Sequence, residues 1–232
     1  MAKPEDVLVV KDKSVVVPGE ALATGMGYIP GTGTYRDGES VQAGRLGLAS
    51  IDGKVIKLIP LSGKYLPKLN DRVIGKVIDV LLTGWRIEMN CPYSSVLTLK
   101  DATTEFVARG ADLTQYFALG DWVVAKIVNV TSQKLIDVSM KGPGLRKLQG
   151  GRVIVVNPQK VPRIIGKEGS MVSLIKDATG CNIVVGQNGL VWMDGEPQAQ
   201  LKVVETIRKI EDESHLTGLT DRISAFLQKK GA

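Results

Sequence analysis

Aromatic side chains make up only 5% of the 232 residues, histidine occurs once and cysteine twice. One histidine, His215, cannot build a His-based zinc centre, and nothing nearby marks it as a triad member. It lies in the charged stretch Glu211–His215, where a surface or helix-end position accounts for it. Cys91 and Cys181 stand ninety positions apart, too far for a spaced ligand pair and too few for a disulfide framework. They read as buried free thiols of a reducing compartment. Acidic residues are scattered singly, whereas a two-metal nuclease needs several carboxylates converging within about 4 Å. Catalytic residues, metal ligands and cofactors are therefore not expected. No apolar run approaches the roughly eighteen residues of a membrane span, and Met1–Asp6 lacks the apolar core of a leader. The expectation is a cytoplasmic protein without a membrane partner.

What is present is glycine, at 26 residues, and an excess of positive charge, +6 overall. Residues 143–232 hold thirteen basic against nine acidic side chains and so carry four of those six charges. Between Asp137 and Glu168 there is no acid, while Lys141, Arg146, Lys147, Arg152, Lys160, Arg163 and Lys167 fall in the gap. Such a run suits a phosphate backbone, and equally a solvated linker of a basic protein.

The hydrophobic rhythm changes twice along the chain, which points to a multidomain protein, mainly β plus α/β. Residues 1–65 read as a β domain: Val7–Val10 and Ser14–Val17 are strand-like, Gly25–Arg36 is glycine-rich, and Arg45–Ile51 pairs with Lys54–Pro60 across Asp52-Gly53. The glycines match neither a P-loop nor a dinucleotide fingerprint. Residues 66–142 offer five strands, Arg72–Leu82, Arg86–Met89, Ser95–Leu99, Trp122–Val130 and Leu135–Met140. The long insertion Asp101–Phe117, with room for a short helix, falls between the third and fourth, the plan of an OB-type barrel. Residues 143–150 read as a linker.

Residues 151–212 follow the order β-α-α-β-β-α of a type I KH domain. Strand Arg152–Asn157, short helix Val161–Ile165, helix Ser170–Thr179 with Ser170 as its expected cap and Gly180 as its stop, strands Asn182–Val185 and Leu190–Met193, and helix Pro197–Ile210 succeed one another. A further helix is expected over Thr220–Lys229 in the tail 213–232. Ile164-Ile165-Gly166-Lys167-Glu168-Gly169 joins the two short helices. Glycines at both ends of a two-residue loop let a backbone pass close, and the following helix start favours a phosphate. Lys167 adds a charged donor, and Lys160 and Arg163 extend the positive surface. Ile164, Ile165 and the Asn182–Val185 strand are the expected floor for splayed bases, the KH mode of holding four nucleotides. The alternative is a glycine-relieved turn in a small α+β domain that serves protein assembly alone.

In the barrel, Trp85, Arg86 and Tyr93 are placed to form a stacking platform, with Lys134 near the last hairpin. Trp85 packing against a neighbouring domain is the competing reading, and Trp122 follows the alternation of a barrel-core residue.

Taken with Asn188-Gly189 and Leu190-Val191-Trp192, the isoleucine-glycine loop resembles the RNA-binding cap subunits of the archaeal exosome. The barrel carries that family's landmarks at Gly75-Lys76-Val77, Gly84, Gly120-Asp121-Trp122-Val123 and Val138-Ser139-Met140-Lys141. The resemblance covers nearly the whole chain. It implies single-stranded RNA as ligand and a hexameric ring of RNase PH-like subunits as partner, with three cap copies on one face. In that family the N-terminal domain docks on the ring, S-one-type barrels surround the pore and KH domains lie outward. The ring degrades RNA from the 3′ end or adds tails, and the cap has no activity of its own. Two departures, Arg86 beside Trp85 where an aromatic is common and Asp137 in place of a basic residue, imply that the barrel guides RNA more than it grips it. A KH domain following the barrel also separates this chain from the polynucleotide phosphorylase tail, where the order is reversed.

Overall fold

The structure is a computed structural model that describes residues 6–104, 108 and 110–229. It divides into two compact units, 1–63 and 64–232. The expected leader-free N-terminus and part of the Asp101–Phe117 insertion fall outside the described residues.

The first unit is built from eight short strands: β1 (Val7–Leu8), β2 (Val15–Val16), β3 (Ala21–Thr24), β4 (Ile29–Pro30), β5 (Thr34–Asp37), β6 (Ser40–Ala43), β7 (Gly47–Asp52) and β8 (Val55–Pro60). They form two sheets, β1-β3-β6-β5 and β2-β7-β8-β4. The expected hairpin is present, but Asp52 pairs with Val55, so the turn residues are Gly53-Lys54 and not Asp52-Gly53. The glycine-rich stretch holds strands too short for any alternation to show. Arg36 ties it together by donating to the carbonyls of Gly25 and Tyr28. Val16, Ala49, Ile56 and Leu58 point into the core between the sheets. The other face of β2-β7-β8 carries an open apolar row beside Ser50 and Lys57. Val15, Leu48 and Ile59 stand in register across the three strands, and Val15 and Ile59 are 61% and 53% exposed. Leu46 and Leu61, which flank β7 and β8 and are joined by a Leu61 N to Leu46 O bond of 3.3 Å, are exposed as well.

The second unit opens with the barrel: β9 (Arg72–Leu81), β10 (Gly84–Glu88), β11 (Ser94–Thr98), β12 (Trp122–Val130) and β13 (Ile136–Ser139). Antiparallel pairing runs β11-β10-β9-β12, and β13 closes the ring by pairing with both β12 and β11, the latter in parallel. Val73, Val77, Trp85, Ile87, Leu97 and Ile127 fill the interior. The insertion between β11 and β12 begins with a one-turn helix α1 (Leu99–Ala102), whose N-terminus Thr98 caps by accepting from Asp101 N at 3.3 Å. Tyr65, expected to close the first domain, is buried in the barrel core, and its hydroxyl donates to Asp71 at 2.5 Å. Burial and the adjacent carboxylate push that phenol far upward.

The segment read as a linker carries a strand, β14 (Lys147–Leu148), which pairs with Trp122-Val123 at the barrel edge. Its alternation is too short to see in sequence. The KH part follows with β15 (Arg152–Val155), α2 (Val161–Ile165), α3 (Ser170–Thr179), β16 (Asn182–Val185), β17 (Leu190–Asp194), α4 (Pro197–Glu213) and α5 (Leu219–Lys229). The antiparallel sheet has the order β15-β17-β16. On one face Ile154, Ile183, Val191 and Met193 meet α2–α5. On the other, Leu190 and Trp192 pack against Ile74, Val124 and Leu148 of the barrel. Both faces of β17 are thus covered, which explains its unbroken apolar run from Leu190 to Met193.

The same arrangement relocates Trp122. It lies on the outside of the barrel, partly buried in the seam with the KH sheet, and Lys76 Nζ sits 5.9 Å from its ring centroid. The first half of β12 is buried on both faces, so alternation there does not report the barrel interior. Arg146 lies over Trp192 in the same seam, 5.8 Å from the ring centroid.

Candidate nucleic-acid interface

The loop between α2 and α3 is built from consecutive backbone constraints. Gly166 ends α2 by donating to Pro162 O at 3.0 Å, with φ at +76°. A Cβ there would lie 2.7 Å from the Met171 backbone nitrogen, so the position accepts only glycine. Lys167–Gly169 then form a single tight turn with Glu168 at φ +53° and Gly169 at φ +84°. This geometry lifts the Lys167 and Glu168 side chains into solvent. Space around Gly169 is open, with nothing within 4 Å of a Cβ built on it. Ser170, expected to cap α3, is instead its first residue. Gly169 is the cap, and no side chain bonds to the helix start. The amides of Gly169 and Ser170 are taken up within the turn itself, by Gly166 O at 3.4 Å and by Lys167 O.

The other residues expected at this surface separate into two groups. Arg163 is exposed one turn before the loop, and Ile165 is half-buried on the helix-side core, as is Val185 of β16. Ile164 is fully buried, because a one-turn helix packed on α3 and α4 turns that residue inward, so it cannot serve as a base floor. Val184 faces the barrel seam and is likewise unavailable. Lys160 is committed to the fold: its Nζ donates to Glu211 O at 2.5 Å. Glu211 in turn accepts from Asn157 N at 2.7 Å and from Arg208 at 2.6 Å. Lys160 locks α4 to the start of the helical segment and offers little to a ligand.

The stacking platform expected on the barrel is not assembled. Trp85 is 0% exposed, stacked edge-on to Phe117 with ring centroids 5.0 Å apart, and its Nε1 donates to Phe117 O at 2.9 Å. An indole in that position has no face to give a base. Arg86 points outward beside Asp79, 3.7 Å away in solvent. Tyr93 packs half-buried against the barrel core. Lys134 stands exposed in the β12–β13 hairpin with φ +63°.

Sequence reasoning missed the barrel–KH clamp and the surroundings of the loop. The turn Gly186–Gly189 that joins β16 and β17 is held by the barrel through Asn188 and through Gln187 N donating to Arg72 O at 2.8 Å. Beside the loop a cleft of about 490 Å³ opens, with Arg163, Gly166, Lys167 and Ser170 on one wall and His215 to Asp221 on the other. Of the cations in the acid-free run, Lys147 is paired with Asp121 and Lys160 is bonded, leaving Arg163 and Lys167 as the exposed pair at the loop. Among the described residues no group of three or more His, Cys, Asp or Glu side chains gathers as a metal site. No helix among them is long and apolar enough to cross a membrane. Burial raises the Cys91 thiol above its ordinary range, which argues against a nucleophilic role. What this surface can do is hold a phosphodiester strand.

Comparison with known proteins identifies the domain and the family. Residues 151–209 match the KH domain family. Over 222 residues the chain is 40% identical to the exosome complex component Rrp4 of Methanothermus fervidus, spanning 95% of this chain and 98% of that one. It is likewise 40% identical to Rrp4 of Thermococcus kodakarensis, over 94% of this chain and 86% of the relative. A crystal structure of a candidate exosome complex RNA-binding protein superposes with a TM-score of 0.65 at 29% identity, covering 72% of this chain and 97% of that one. With relatives this similar over most of their length, the chain belongs to the Rrp4 family of exosome complex components.

Proposed function

We propose that the chain is the non-catalytic RNA-binding cap subunit of an archaeal exosome, and that its KH loop takes the incoming single strand. The observation that carries this is the Gly166–Gly169 loop: backbone-defined, solvent-facing, and flanked by the exposed side chains of Arg163 and Lys167. Such a loop admits a sugar-phosphate backbone and offers it charge without chemistry. The barrel contributes guidance through Arg86, Tyr93 and Lys134 at its surface, with Trp85 supporting them from the core. The open apolar row on β2-β7-β8 is the surface we assign to the RNase PH-like ring, with three copies on one face of that ring. Degradation or tailing of the strand then belongs to the ring, in the cytoplasm.

Titration of a short single-stranded RNA by fluorescence anisotropy at several salt concentrations tests the central claim. Lys167→Ala should weaken binding and reduce the slope of log affinity against log salt by about 0.7. Unchanged affinity and slope in a folded variant would leave protein assembly as the role of both modules.

A further inference from the structure

The cleft beside the loop has a second wall that α2 and α3 do not supply. That wall, from His215 to Asp221, is the connector between α4 and α5 together with the first turn of α5, and it is anchored from three directions. Leu219, Ile223 and Leu227 of α5 enter the KH core. Lys202 Nζ donates to Leu227 O at 2.9 Å. Glu213 bridges Lys209 at 2.5 Å and Arg222 at 3.0 Å, binding the end of α4 to the start of α5. The connector is therefore a fixed part of the surface.

Its charges favour an anion. Arg163 and Lys167 stand on one wall and the imidazole of His215 on the other, against a single carboxylate, Asp221. All four side chains are exposed. Gly218 keeps the connector backbone open, with nothing within 4 Å of a Cβ built there. The cleft is about 490 Å³, open to solvent on one side and lined by both polar and apolar side chains, so it can take a sugar and base beside a phosphate.

We propose that this cleft is a second nucleotide subsite, in which the phosphodiester flanking the loop-bound nucleotides lies between Arg163 and Lys167 on one side and His215 on the other. The inference rests on the reading that the Gly166–Gly169 loop binds RNA, and it extends the KH footprint by the α5 connector. Asp221 is the one repulsive group in the subsite and tempers its affinity.

The test uses the full chain with single-stranded RNAs, one of four nucleotides and others longer, each measured by anisotropy for the parent, His215→Glu, Asp221→Asn and Lys167→Ala. A 4-thiouridine-substituted strand is also cross-linked and the attached peptide identified by mass spectrometry. The expected result is several-fold weaker binding of the longer strands by His215→Glu, tighter binding by Asp221→Asn, and cross-links within residues 214–220. Lys167→Ala weakening binding while both cleft variants match the parent and the cross-links fall elsewhere overturns the subsite and keeps the loop. A loss in His215→Glu with Lys167→Ala unchanged overturns the loop reading and removes Lys167 from the cleft, overturning the subsite as drawn here. No change in any variant overturns both.

Discussion

Asn188 and Ile74 exchange hydrogen bonds in both directions across the barrel–KH seam: Asn188 Nδ2 donates to Ile74 O at 2.7 Å, and Asn188 Oδ1 accepts from Ile74 N at 3.2 Å. Nδ2 also donates to Met89 O at 2.8 Å, so one fully buried side-chain amide satisfies three backbone groups of the barrel. Asn188→Ala strands all three without water. It should cost about 2–5 kcal/mol, on the order of 1–3 kcal/mol for each unsatisfied buried group with partial relaxation. Differential scanning calorimetry should show a lower or split transition for residues 64–232, and an unchanged single transition would contradict the clamp.

The two loop glycines should separate cleanly. Gly166→Ala drives a Cβ to 2.7 Å from Met171 N, so it should destabilise the KH part and bind RNA poorly because the loop deforms. Gly169→Asp meets open space, at a cost of about 1–2 kcal/mol for its left-handed backbone. It should stay folded by circular dichroism and yet bind RNA weakly, since a carboxylate then faces the strand. Equal stability loss in the two variants would refute this division.

Trp85 is a core residue in spite of its suggestive position next to Arg86. Trp85→Ala should destabilise the barrel by about 3–5 kcal/mol. Trp85→Phe, which leaves Phe117 O without its donor, should lower stability less and leave RNA affinity at the parent value. A folded Trp85→Phe protein with clearly weaker RNA binding would show that the indole does contact RNA.

The open face of β2-β7-β8 yields a separate expectation. Ile59→Glu puts charge on a side chain already 53% exposed, so the unit should fold normally. Association with the nuclease ring should fall sharply in size-exclusion co-elution, while RNA affinity is retained. Undiminished co-elution would move the docking surface elsewhere.

Much of this was readable from sequence, and the failures have physical causes. The KH elements announce themselves because their periods are long and Gly166, Gly169 and Gly180 punctuate them. Residue spacing alone could also have placed Trp85, since Trp85-Arg86-Ile87-Glu88 alternates with Trp and Ile on one face. A one-residue slip in that reading moves every side chain to the wrong side. By contrast, strands of two to four residues in the first unit leave no period to detect. Asn188 looks like any turn asparagine until the barrel backbone is brought against it. Lys160 looks like any basic side chain until Glu211 O is found 2.5 Å away.

Glu213 supplies a pH-dependent expectation. The hydrogen bond from Lys209, aided by the charges of Lys209, Arg222 and His215, holds its carboxyl below the usual range. A depressed carboxylate contributes stability that is complete above its unfolded value near 4.3 and is lost as pH falls through the lower folded value. The attachment of α5 should therefore weaken only in acid, below about pH 4 by that reference. Amide hydrogen exchange across Leu219–Lys229 at neutral and acid pH checks it, and a change confined to neutral or alkaline pH would contradict the sign.

The clamp at Asn188 also has a mechanical meaning. Residues 143–150 look like a tether, yet β14 is stitched to the barrel edge and the β16–β17 turn is bolted to β9 and to the carbonyl of Met89. On the proposed reading, a strand drawn away by a nuclease pulls on the Gly166–Gly169 loop, and that tension passes through the KH sheet directly into the barrel. The load is carried by packed tryptophan, isoleucine and an amide in shear, with no slack linker to take it up. The barrel and the KH part, residues 64–232, therefore share any load as one packed unit.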